Sequence, residues 1–169
     1  MKKVRIILLA AIILVLWITY RMTGEKGVVA PDEEMTKVTY VFDGDTIEVT
    51  GGRRVRYIGV NTPEIAHAGT KEECYGTSAK NENFSLVQGK TVRLVSDISD
   101  TDSYGRLLRY VYAGNEFIND TLVRRGFARA EPITPDTEFA QQFFSAQTEA
   151  QQNGRGLWSA CKSSVDRPQ

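Results

Sequence analysis

From Lys37 to Val60 the chain reads KVTYVFDGDTIEVTGGRRVRYIGV. The hydrophobic rhythm here is that of β-structure. Val38 to Phe42 is a short apolar strand, and Asp43-Gly44-Asp45 is turn chemistry. Thr46 to Thr50 alternates and runs into Gly51-Gly52, a two-residue hairpin signal. Arg54 to Val60 alternates again, with Val55 and Tyr57 on one side and Arg54, Arg56 and Ile58 on the other. Apolar alternation on one face predicts a sheet with one buried side.

Downstream the pattern changes period. A proline loop at Thr62-Pro63 runs through His67 and Gly69. Tyr75 to Gln88 reads as a helix ended by Gly89. Thr91 to Ser96 is a strand, Asp97 to Gly105 an acidic loop, and Leu107 to Tyr112 a further strand. Ile118 to Arg125 is a short helix stopped by Gly126. A last helix is expected with Thr134 as cap and Pro135 in its first position. Phe139, Phe143, Ala146 and Ala150 mark its buried face at helical spacing, Asn153-Gly154 ends it, and Trp158 folds back on the core. Five short strands with a helix after the third predict a small, partly open barrel of α+β type, rich in β-structure.

Composition sets the class. Of 169 residues, 41% are hydrophobic and 25% charged, the balance of a folded globular domain. The formal charge is zero, yet the first thirty residues hold five Lys and Arg against one acid. The remainder carries 16 basic and 20 acidic residues, a net of −4. Long-range attraction of a polyanion is therefore weak, and any phosphate recognition must be local.

Lys2, Lys3 and Arg5 precede an apolar run from Ile6 to Tyr20. Its length suits a signal-peptide core better than a full membrane span. No small-x-small cleavage site follows; Val28-Val29-Ala30 comes nearest, with Pro31 behind it. Residues 1–21 are thus expected to form a signal anchor, favoured over a cleaved signal peptide, with the domain outside the cytoplasm. Residues 22–35 read as a linker, 36–162 as the folded domain and 163–169 as a disordered tail. Cys74 and Cys161 lie 87 residues apart, and in an exported protein the default is a disulfide, two free buried thiols being the alternative.

Three segments carry chemistry: Asp43-Gly44-Asp45-Thr46, Arg56-Tyr57-Ile58-Gly59-Val60-Asn61-Thr62-Pro63-Glu64, and Asp102-Ser103-Tyr104-Gly105-Arg106. Taken singly each has a bland reading: a hairpin turn, a solvated loop glutamate, arginines in surface salt bridges with Asp100 or Asp102. Together they offer hard oxygen ligands for a divalent cation, a carboxylate base in Glu64, and two guanidiniums, Arg56 and Arg106, each able to grip two phosphate oxygens. Tyr104 can stack on a nucleotide or hydrogen-bond to it.

In this order and spacing the segments resemble the staphylococcal (micrococcal) nuclease family, the thermonucleases, from about Lys37 to Trp158. The resemblance implies a five-stranded OB-fold with three helices, and a calcium-dependent endonuclease that cleaves DNA and RNA with low sequence specificity, leaving 3′-phosphates. It implies Ca2+ as cofactor, held by the Asp45 carboxylate, the Thr62 carbonyl and Asn61. It also implies Arg56, Glu64 and Arg106 as catalytic residues. The chain departs from the family in three places. Asn61 stands where well-studied members have Asp, Ser103 where they have Lys, and Glu131-Pro132-Ile133-Thr134 where they have two tyrosines. The alternative is a weakly catalytic OB-fold module that binds nucleic acid without cutting. No protein partner is evident, and a monomer is expected, tethered to the membrane if the apolar run is uncleaved.

Overall fold

The computed structural model describes residues 13–15, 17, 33–66 and 69–161. The chain divides into two units, Met1–Ala30 and Pro31–Gln169. In the first, Ile13–Val15 and Trp17 are helical, and the expected anchor otherwise lies outside the described residues. Among the described residues no helix is long and apolar enough to cross a membrane. Most of the expected linker, and the tail from 163, lie outside them too.

The second unit is a closed barrel. Strands β1 (Glu33–Val41), β2 (Thr46–Val49), β3 (Arg53–Tyr57), β5 (Thr91–Val95) and β6 (Leu107–Ala113) form one sheet ordered β3-β2-β1-β5-β6. Parallel pairing of β3 with β6, Val55 opposite Leu107, shuts it. A short β7 (Glu116–Phe117) extends β6. β1 serves both halves. Its first part pairs with β5, from Glu33 opposite Val95 to Lys37 opposite Thr91. Its second part pairs with β2, and the register shifts between Val38 and Tyr40. A bulge there bends the strand and increases its twist, as barrel closure requires.

β1 begins at Glu33, five residues before the expected Val38. Hydropathy could not reveal this, because the extension is held by charges. Glu33 pairs with Arg93 at 2.9 Å, and a Glu34 carboxylate oxygen accepts from Arg53 Nη1 at 2.8 Å. The expected strand from Arg54 to Val60 also breaks. Gly59 takes φ 76°, and a Cβ there would lie 2.6 Å from the Phe143 ring. The chain turns, Ile58 joins the core, and a separate strand β4 (Val60–Asn61) pairs with β8 (Arg129–Ala130). The hairpin at Gly51-Gly52 is present, with φ 88° and 71°.

Helix α1 (Gly76–Val87) follows the proline loop, α2 (Ile118–Arg124) follows β7, and α3 (Ala140–Gln152) and α4 (Leu157–Ala160) end the domain. Phe143, Ala146 and Ala150 are buried on α3, as their spacing predicts. The start of α3 differs from expectation: Thr134 and Pro135 lie outside it. Asp136 accepts hydrogen bonds from the Ile98 and Ser99 amides at 3.0 and 2.7 Å, which binds this segment to the acidic loop instead of a helix turn. The core inside the barrel is aliphatic, with Val41, Ile47, Val55, Leu94 and Val111 among its members. Buried Asn119 stitches α2 to it, accepting from Val111 N and donating to the Ile58 carbonyl, both at 2.9 Å. A Cys74–Cys161 disulfide joins the loop before α1 to the end of α4.

Candidate active site

Asp45 sits just before β2, where the turn aims it inward. The Asp43 carboxylate accepts from the Asp45 amide at 3.0 Å, the local bond that makes Asp a turn residue. Gly44 lets the turn lie against Thr62: a Cβ would meet the Thr62 side chain at 2.6 Å. Asp45 Oδ2 accepts from the Thr62 amide at 2.7 Å and from its hydroxyl at 2.9 Å, and Arg56 Nη1 lies 3.1 Å away. Oδ1 is held more loosely, by Thr46 Oγ1 at 3.3 Å. The residue is 5% exposed. Burial pushes its carboxyl up to about 6 against the opposing pull of Arg56.

Arg56 extends this network. It donates to the Val60 carbonyl at 2.8 Å, to the Tyr57 carbonyl at 3.1 Å and to Asn61 Oδ1 at 3.2 Å. Alternation along β3 explains its position: Val55 and Tyr57 are buried on one face while Arg56 emerges on the other. Asp45, Arg56, Asn61 and Thr62 are thus one hydrogen-bonded group. The oxygens of Asp45 and Asn61 both turn toward the same guanidinium.

Arg106 comes from a loop built around Asp102. One Asp102 oxygen accepts from the Tyr104 amide at 2.9 Å and the Arg106 amide at 3.0 Å, and the other accepts from Arg106 Nε at 2.7 Å. Burial alone would raise the Asp102 pKa, but these bonds outweigh it and hold the carboxyl below its usual range. The Arg106 guanidinium carbon is 5.4 Å from the centre of the Tyr104 ring, which is 84% exposed.

Arg56, Tyr104 and Arg106 border a single cleft of about 310 Å³. Its far wall is Glu131, Ile133 and Asp136, from the segment between β8 and α3. The sequence marks Glu131 and Ile133 only as standing where the family has two tyrosines, and it gives Asp136 no place in the site. They arrive through tertiary pairing: Asn61 lies opposite Arg129 in the β4–β8 ribbon, and the Glu131 amide donates to the Gly59 carbonyl at 2.8 Å. Asp102 was expected only as a salt-bridge partner. Its spacing two and four residues before Tyr104 and Arg106 is the signal for the turn it organises.

Glu64 stands apart from this cleft lining. It is exposed on the loop after β4, and that loop is fastened to the segment before α1. The Glu64 carbonyl accepts from the Glu73 amide at 2.9 Å, and its own amide donates to the Glu73 carboxylate at 3.3 Å. Gly76 packs against the Glu64 carbonyl, with no room for a Cβ. Cys74 lies in this same segment, so the disulfide anchors it. His67 is outside the described residues.

Comparison with known proteins agrees with this geometry. A family model described as staphylococcal nuclease homologue matches residues 54–160. The chain is 34% identical to a thermonuclease of Staphylococcus hyicus over 168 residues, covering 94% of this chain and 99% of that protein. It is also 34% identical to a thermonuclease of Staphylococcus intermedius, with the same coverage. Endonuclease YncB of Bacillus subtilis is 33% identical over 150 residues, 83% of this chain and 71% of the relative. A barrel of the expected type, a cleft bordered by two arginines and these matches lead to one conclusion: the chain belongs to the staphylococcal nuclease family.

Proposed function

We propose that the domain is an exported, calcium-dependent nuclease that hydrolyses phosphodiester bonds in DNA and RNA with little sequence preference and leaves 3′-phosphates. The observation that carries this reading is that Arg56 and Arg106, from elements far apart in sequence, border one cleft of a size for a nucleotide. The names of the relatives, thermonuclease and endonuclease, point the same way.

The donor set fits a hard cation. Asp45, Asn61 and Thr62 offer carboxylate, amide and backbone oxygens, the ligand types calcium takes. Among the described residues no three His, Cys, Asp or Glu converge, so amide and backbone oxygens would complete the site around one carboxylate. Bound calcium would supply Lewis acidity toward a phosphate oxygen. The protein's own residues do the rest. Arg56 and Arg106 bind the phosphate and offset the charge that grows on its oxygens as water attacks. Asp102 holds Arg106 through Nε, leaving the terminal edge of the guanidinium for phosphate. Glu64 takes the proton of the attacking water, and the backbone of its loop is braced by Glu73 and Gly76. Export is supported by the basic and apolar N-terminal run and by the disulfide.

A plasmid-nicking assay tests this. Nicking in millimolar calcium that stops in chelator is expected; folded protein that cuts nothing in calcium contradicts it. One observation favours a second reading, a module that binds nucleic acid without cutting: Glu64 is not part of the cleft lining. That reading requires Glu64→Gln to leave every nucleic-acid property unchanged.

A further inference from the structure

A second, larger depression of about 710 Å³ adjoins the cleft. It runs between the β2–β3 hairpin turn and the loop that carries Arg106, and is bordered by Arg53, Arg54, Tyr104 and Arg106. Tyr104 and Arg106 border both depressions, so the two adjoin at these side chains. Gly52 and Gly105 sit at its edges with nothing within 4 Å of where a Cβ would stand, which leaves the backbone open on both sides.

The charges differ in how they are used. Arg53 is paired with Glu34, and Arg106 with Asp102. Arg54 forms no ion pair among the described residues. Its guanidinium lies 4.5 Å over the ring of Phe42. Glu48 is its cross-strand neighbour, but the Glu48 carboxylate already accepts from Thr39 Oγ1 at 3.0 Å. The aromatic surface continues from Phe42 to half-exposed Tyr40, 4.9 Å centre to centre, and Lys80 lies 5.9 Å from the Tyr40 ring. A cationic groove followed by partly exposed aromatic side chains is the combination that holds single-stranded nucleic acid without reading its sequence.

We propose that this groove carries the polynucleotide away from the scissile phosphate, with Arg54 binding a phosphate outside the reacting one and the Phe42–Tyr40 surface taking a base. The proposal deepens the nuclease reading and rests on its assignment of nucleic acid as ligand. It explains how a domain with a net charge of −4 outside its first thirty residues can hold a polyanion: the positive charge is local and adjoins the cleft. It also gives affinity that grows with substrate length.

The test is fluorescence anisotropy of the full protein in chelator, with a single-stranded dinucleotide and a single-stranded 12-mer, at several salt concentrations. The wild type is expected to bind the 12-mer at least tenfold more tightly. Arg54→Ala should cut that length ratio by about tenfold and reduce the salt slope for the 12-mer by about 0.7, one phosphate contact on a single strand. Lys90→Ala removes a charge bonded instead to the Ser85 carbonyl and should move neither quantity. Equal affinity for the two lengths, or a length ratio and salt slope untouched by Arg54→Ala, overturns the groove. The two readings fail separately. Length-dependent binding by a protein that cuts nothing in calcium keeps the groove and removes the nuclease; calcium-dependent cutting with no length dependence does the reverse.

Discussion

Arg56 Nη1 stands 3.1 Å from Asp45 Oδ2, and the same guanidinium also reaches the Asn61 side-chain oxygen. The arginine assigned to phosphate therefore also neutralises the carboxylate assigned to the metal. Both side chains are largely shielded from water, so neither can be removed without consequence for the other.

Arg56→Ala should destabilise the domain by about 3 kcal/mol, because it leaves the Asp45 carboxylate buried without its counter-ion. Adding Asp45→Asn to Arg56→Ala should recover part of that loss. Urea denaturation of the four proteins in chelator measures the coupling; additive single effects would show that the pair is not linked.

Asn61→Asp restores a charge that the family resemblance leads one to expect. Calcium affinity should rise by about tenfold, since each added carboxylate strengthens a hard-cation site, while the cleavage products stay the same. Calcium titration of cleavage rate and end-group analysis check both halves. Unchanged calcium dependence would remove Asn61 from the ligand set.

Asp102 contributes to the acid behaviour of the fold. Its folded-state pKa is lowered, so the unfolded chain binds its proton more readily, and stability rises with pH through this range. The contribution is present above the unfolded carboxylate value of about 3.9 and is lost as pH falls through the lower folded value. Asp102→Asn should therefore be less stable than wild type near neutrality and lose less stability on acidification below about pH 4. Urea midpoints between neutral and strongly acidic pH decide it; parallel curves would be the contrary result.

The Cys74–Cys161 bridge closes a loop of 87 residues. Chain entropy assigns such a closure about 4–5 kcal/mol. Because Cys74 lies in the segment that braces the Glu64 carbonyl, the Cys74→Ser, Cys161→Ser double variant should lose kcat more than it raises KM. Hydrogen exchange at the Glu73 amide should quicken as well. A variant that is merely less stable, with kcat intact well below its Tm, would separate the bridge from the Glu64 loop.

Much of this architecture is legible in the sequence where burial imposes a period. Val55 and Tyr57 alternate with Arg56 because one face of β3 meets the core, and Gly51-Gly52 names its own turn. Legibility fails where charges or distant contacts decide. The start of β1 depends on Glu33 and Glu34 finding Arg93 and Arg53. Gly59 ends β3 because the Phe143 ring occupies the space above it. Asp136 caps the Ile98 and Ser99 amides and so delays α3 to Ala140. In the site, the nearness of Asp45, Asn61 and Thr62 follows from a hairpin and can be anticipated. Glu131 and Ile133 reach the cleft through a two-residue ribbon that leaves no mark on local sequence.

The most direct test of the central claim, two guanidiniums acting on one phosphate, is the single-turnover rate of calcium-dependent oligonucleotide cleavage by Arg106→Ala at saturating substrate. Arg106 is the better probe because its loop bonds, through Asp102 and the backbone, leave the Asp45 network untouched. A fall of about 10²–10³ in rate, with the barrel still folded, is the expected result. A rate equal to wild type would contradict the assignment of this cleft as the place where the phosphodiester is cut.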